Sequence, residues 1–146
     1  METPLILEIN IEPIPQQSAR FYTFGKQIRS FQPQKVLDYK KNVRTQILAQ
    51  LPRGFQLTSN TLNVQVDFMF KKVTALRKKQ CEFIDGGGIF FRNNRPDIDN
   101  LSKALFDCLT GIVWKDDSQV CDYHARKYYA KDEGKILIAI EEINIS

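Results

Sequence analysis

The sequence predicts a two-layer α/β (α+β) domain over residues 1–146, a mixed four-stranded sheet with two helices in the order β-α-β-α-β-β. Three observations lead there. Apolar and polar residues alternate in four separate runs, the period of a half-buried strand. Two longer stretches repeat their apolar residues every three or four positions, the period of an amphipathic helix. A length of 146 residues with 42% hydrophobic and 11% aromatic side chains fits one domain with a real core.

The elements follow in order. Leu5, Leu7, Ile9 and Ile11 share one face of a strand that Pro13 and Pro15 end. Residues 16–34 carry Arg20, Lys26 and Arg29 among Phe21, Tyr22, Phe24 and Phe31. Two readings stand for this segment: a surface loop with aromatic anchors, or a loop facing DNA phosphates. Val36, Tyr39, Val43, Ile47 and Leu51 form a helical stripe over 34–51, closed by Pro52 and Gly54. Leu62, Val64, Val66, Phe68 and Phe70 alternate with Asn63, Gln65, Asp67 and Met69, the clearest strand in the chain.

Residues 71–95 are irregular: Lys71 and Lys72, then Arg77, Lys78 and Lys79, a Gly86–Gly88 triplet, Arg92 and Arg95. The glycines lack the G-K-[ST] ending of a phosphate loop and predict a hinge or mobile loop. Ile98, Leu101, Ala104, Leu105, Cys108, Leu109 and Ile112 mark the second helix, with Gly111 at its end. Cys121, Tyr123, Ala125 and Tyr129 alternate with Asp122, His124, Arg126 and Tyr128 in a strand over 118–130. Asp132-Glu133-Gly134 reads as a hairpin turn into a last strand with Ile136, Ile138 and Ile140.

Composition narrows the function. A net charge of +4 and a pI near 9.0 favour a polyanionic partner. Three cysteines without a C-x-x-C pair argue against a zinc cage or a disulfide framework. The N-terminus lacks the basic and apolar regions of a signal peptide, and no run approaches the ~20 apolar residues of a membrane span. The expectation is a soluble, cytoplasmic protein.

The chemistry concentrates in Arg95–Val120. Asp97 and Asp99 stand two residues apart at a helix start, Lys103 lies one turn on, and Asp116 and Asp117 follow the helix. Hard cations such as Mg2+ take oxygen ligands and keep waters for substrate phosphates. Each residue also has a structural reading: Asp97 and Asp99 as helix caps, Lys103 as an i,i+4 partner of Asp99, Asp116-Asp117 as a turn. As a helix, the 14 residues 97–110 span about 20 Å. Only tertiary folding or a second subunit could then bring Asp117 to Asp97.

The residues Pro96-Asp97-Ile98-Asp99-Asn100-Leu101-x-Lys103-Ala104-x-Phe106-Asp107-x-Leu109, with Trp114-x-Asp116-Asp117-x-Gln119-Val120-x-Asp122-Tyr123, resemble the RusA family of Holliday junction resolvases. The resemblance implies a homodimeric, Mg2+-dependent endonuclease, with Mn2+ as a substitute metal, that nicks opposing strands of a four-way junction; such enzymes are often carried by prophages. By it Asp97, Asp99 and Asp117 are the catalytic carboxylates and metal ligands, Asp116 a further candidate ligand, and Lys103 the catalytic lysine. Arg20, Lys26, Arg29, Lys71, Lys72, Arg77, Lys78, Lys79, Arg92 and Arg95 are the candidate DNA contacts. Tyr123, Tyr128 and Tyr129 are aromatics that a subunit interface, or a helix of the same chain, could cover. Two other readings remain: a DNA-binding module without catalysis, and a nuclease for other branched DNA.

Overall fold

The computed structural model describes residues 4–16 and 20–143. The strands are β1 (Leu5–Ile9), β2 (Arg20–Phe24), β3 (Gln27–Phe31), β4 (Leu62–Phe70), β5 (Val120–Tyr129) and β6 (Lys135–Glu142). The helices are α1 (Gln34–Gln50), α2 (Lys78–Asp85) and α3 (Ile98–Leu109). The mixed four-stranded sheet runs β1-β6-β4-β5, with α1 and α3 where periodicity put the two helices. β5 lies parallel to β4, as a long crossover through a helix requires, while β6 runs antiparallel to both β1 and β4.

Alternation decides which side chains enter the core. Leu62, Val64, Val66, Phe68 and Phe70 of β4 face the helices, as do Ile136, Ile138 and Ile140 of β6, and all are buried. They meet Tyr39, Val43 and Ile47 of α1 and Leu101, Leu105, Cys108 and Leu109 of α3. Trp114 is fully buried beyond the end of α3, with the Phe106 ring edge-on at 5.3 Å. Lys40, a buried lysine of α1, reaches Asp107 of α3 at 2.9 Å and ties the two helices together.

Three features depart from the expected elements. The 16–34 segment contains the hairpin β2–β3, joined at Gly25, whose φ of +63° only glycine adopts readily; residues 17–19 lie outside the described residues. The 71–95 segment contains the eight-residue α2, too short for its periodicity to stand out. The turn at Asp132-Glu133-Gly134 is not a hairpin turn, because β5 and β6 pair on opposite edges of β4. Residues 130–134 instead arch over the end of β4, and the Ala130 N–H donates to the Phe70 carbonyl at 2.7 Å. Period-two patterning fixes which face a strand buries but not which strand lies beside it.

Candidate active site

The first turn of α3 is set by the chain beneath it. Asp97 occupies the N-cap position in extended conformation, and its carbonyl accepts from the Leu101 N–H at 3.1 Å. Its side chain makes no capping hydrogen bond. Among the described residues the Asp99 carboxylate accepts only from the adjacent Asn100 N–H, at 2.9 Å. Both carboxylates are exposed, and so is Lys103. The Lys103 ammonium is not within ion-pair distance of Asp99 among the described residues. Helix capping therefore does not account for Asp97, nor an internal ion pair for Lys103.

Lys127 of β5 holds the approach to this turn. Its Nζ donates to the carbonyls of Asn94 at 2.5 Å and Pro96 at 2.8 Å, the residue before Asp97. Burial lowers the Lys127 pKa; Asp97 opposes the fall and Arg92 adds to it. Arg92 braces the same segment. Its N–H donates to the Lys127 carbonyl at 3.1 Å, its Nε bonds Asn94 Oδ1 at 3.1 Å and the Arg95 carbonyl at 3.0 Å, and its guanidinium lies 4.5 Å from the Phe70 ring centre. From the other side, the Gln16 N–H donates to the Asn100 carbonyl at 2.8 Å. Sequence reading missed Lys127, yet a signal was there: it has the parity of Tyr123, Ala125 and Tyr129, so a lysine was due on the inward face.

The second acidic pair is built differently. Asp116 caps a single 3₁₀ turn, Asp117–Gln119, its Oδ1 accepting from the Ser118 N–H at 2.9 Å. That hydrogen bond lowers the Asp116 pKa. Gln119 Oε1 accepts from the N–H groups of Lys115 at 2.9 Å and Asp116 at 2.7 Å, and its Nε2 reaches the carbonyls of Thr58 and Asn60. Asp117 is exposed beside this scaffold.

The two acidic turns do not meet within one chain. α3 runs antiparallel to β5: Pro96 lies by Lys127, while Ser102 and Phe106 lie by Tyr123, at 2.6 Å (Oγ to Oη) and 4.9 Å (ring centres). Asp97 thus sits near the end of β5 and Asp117 before its start, and Val120 to Lys127 alone covers about 23 Å of extended strand. No three His, Cys, Asp or Glu side chains among the described residues are grouped to hold a metal ion.

The basic residues divide in two. Lys72 pairs with Asp85 at 2.5 Å and Lys71 approaches Glu133 at 3.5 Å. Arg77, Lys78 and Lys79 are exposed at the start of α2. Cations at the positive end of a helix dipole oppose helix stability by about 0.3–1 kcal/mol each, so α2 does not account for them. Lys26 is exposed at the β2–β3 tip, and the side chains of Arg20 and Arg29 lie outside the described part. His124 is on the uncovered sheet face, 3.0 Å from Asp122. Tyr123 and Tyr129 are covered by the chain's own α3 and Phe90, and Tyr128 donates to Asp67 at 2.7 Å, so the tyrosines are explained without a second subunit.

A chain with this fold and an acidic pair opening α3 can be compared with known families. The family described as endodeoxyribonuclease RusA matches residues 10–141, and the chain belongs to it. It is similar to the uncharacterized protein YqaN of Bacillus subtilis (strain 168), 26% identical over 133 residues, 91% of this chain and 92% of YqaN. It also resembles the crossover junction endodeoxyribonuclease RusA of Escherichia coli (strain K12), 44% identical over 50 residues. That match covers 34% of this chain and 42% of the relative, and the enzyme of Enterobacteria phage 82 matches over the same extent. The chain thus spans less than half the length of the RusA enzymes it matches.

Proposed function

We propose that this chain is a structure-selective endodeoxyribonuclease that resolves four-way DNA junctions as a homodimer, using Mg2+ or Mn2+, on cytoplasmic DNA. The observation that carries this reading is the Asp97–Asp99 pair: two exposed carboxylates at a helix start, Asp97 making no capping hydrogen bond and Asp99 accepting from the neighbouring Asn100 N–H, in a chain of the RusA family. Mg2+ needs only one or two protein carboxylates when waters and phosphates complete its shell, so these residues fit the ion. When bound, the metal would lower the pKa of an attacking water and offset charge on the phosphate.

Asp97 and Asp99 would hold the ion. Lys103, one turn along α3, would hold the phosphate as a point charge. The separation of Asp117 supports a dimer. A two-fold axis near the middle of β5 exchanges the ends of α3 and β5, bringing the partner subunit's Asp117 towards Asp97 and Asp99. The outward edge of β5 favours such a neighbour. Residues 90–92 cover it only at Lys127 and Tyr129, and by period two the backbone groups of Cys121, Tyr123 and Ala125 face outward, without a partner among the described residues.

The test is cleavage of a synthetic four-way junction across a metal titration, beside a fork and a linear duplex at equal salt. Paired nicks in the junction alone are the expected result. Binding without cleavage at any metal concentration would leave a DNA-binding module, and equal cutting of forks a broader branched-DNA nuclease.

A further inference from the structure

A notch of about 430 Å³ opens at Pro96, the residue before Asp97, between the loop after β1, the start of α1 and the segment that enters α3. Its walls include Pro13, Pro15 and Pro96, which are stiff and lack N–H donors. Its polar lining is mainly cationic: Lys35, Arg92 and Arg95 against one carboxylate, Glu12. Glu12 is engaged elsewhere, its Oε1 accepting from the Lys71 N–H at 3.0 Å.

The three cations come from two distant segments; Arg92 is stacked over the Phe70 ring, while the charges of Lys35 and Arg95 meet no partner among the described residues. Lys35 lies in the first turn of α1, where a cation opposes the helix dipole. Neither Lys35 nor Arg95 has a side-chain hydrogen bond or ion pair among the described residues. Arg92 is held in place: Nε is occupied and the guanidinium is stacked on Phe70, while its two terminal nitrogens meet no protein acceptor among the described residues. A fixed guanidinium fork with two further cations around a stiff-walled notch suits a phosphodiester.

We propose that this notch holds one backbone phosphate of the DNA strand being cut, next to the scissile phosphate, and that Lys35 completes it. The inference rests on the nuclease reading for its ligand but not for its test. Lys35 is then a positioning residue that fixes the strand relative to Asp97.

The test uses the full-length protein without metal, so that nothing is cut. Junction affinity is measured over a salt series for wild type and Lys35→Ala, on all-phosphate junctions and on junctions with one neutral methylphosphonate moved through the linkages flanking the branch point. The expected result is a loss of about three- to tenfold for Lys35→Ala, with the salt slope reduced by about one. At one linkage the methylphosphonate should weaken wild type to the same degree and Lys35→Ala no further. A variant with wild-type affinity and salt slope overturns the proposal, as does a Lys35→Ala loss that adds to the methylphosphonate loss at every linkage. Because binding is read without metal, this result is independent of whether the chain cleaves DNA.

Discussion

The two acidic turns differ in what their carboxylates do for the fold. At the start of α3 the structural work is done from below, by Lys127 and Arg92 on the backbone of residues 94–96. Asp97 and Asp99 are left facing solvent. At the far end of α3, Asp116 caps the 3₁₀ turn itself and Gln119 secures it. The difference separates carboxylates the fold needs from those it merely displays. Asp116 belongs to the first kind, Asp97, Asp99 and Asp117 to the second, and the comparison can be broken at each.

The largest effect is expected at the displayed carboxylates. Asp99→Asn or Asp117→Asn should each reduce junction cleavage by about 10²- to 10³-fold or more, the scale of removing a transition-state electrostatic contact, while junction binding stays intact or tightens. Mixing the two inactive variants sharpens this. If each site takes Asp97 and Asp99 from one subunit and Asp117 from the other, a mixed dimer keeps one fully wild-type site. Nicking should then return in the mixture, as single cuts rather than pairs. A mixture that exchanges subunits but stays inactive would place all three carboxylates of a site on one chain.

Much of this was legible in the sequence, and the rest was hidden for physical reasons. Periodicity located α1, α3 and the sheet strands because each buries one face, as Leu62 to Phe70 do without a break. It missed the position of β6, since Ile136, Ile138 and Ile140 satisfy the same alternation beside β5 or between β1 and β4. The candidate carboxylates were legible as types and spacing. Whether the turn into β5 returns Asp117 to the start of α3 was not, because that depends on the antiparallel course of α3 along β5.

A smaller effect is expected beneath the first turn. Lys127→Met keeps the aliphatic stem but removes the donor to the Asn94 and Pro96 carbonyls. Cleavage should fall by about tenfold, since small misplacements of reacting groups cost up to 10². Equilibrium binding of the junction should hold, and a raised metal concentration should recover part of the rate. Lost binding in proportion to lost cleavage would make Lys127 a DNA contact rather than a support.

Asp116→Asn should cost still less. Asn caps a helical turn about as well as Asp and can accept from Ser118 in the same way, so a change in cleavage of no more than a few-fold is expected. An Asp116→Asn loss matching that of Asp117→Asn would make Asp116 a metal ligand and erase the distinction between the two kinds of carboxylate.

The smallest effect lies on the uncovered sheet face, where Asp67 also has a structural task. Burial alone would raise its pKa, but hydrogen bonds from Arg126, at 3.0 and 2.7 Å, and from Tyr128, at 2.7 Å, lower it overall. A carboxylate with a depressed folded pKa stabilises the fold above its unfolded value and loses that contribution as pH falls through the folded value. Asp67→Asn should therefore lower stability by about 1 kcal/mol near neutral pH, as expected for a partly exposed charge-assisted network. The gap to wild type should close in acid, below about pH 4, and cleavage measured well below the melting temperature should not change. The check is a set of denaturant melts from pH 3 to 7 beside a junction assay. A gap that persists unchanged at pH 3 would show that shape rather than charge sets the role of Asp67. A large loss of cleavage in the folded variant would extend the working surface to the face opposite α3.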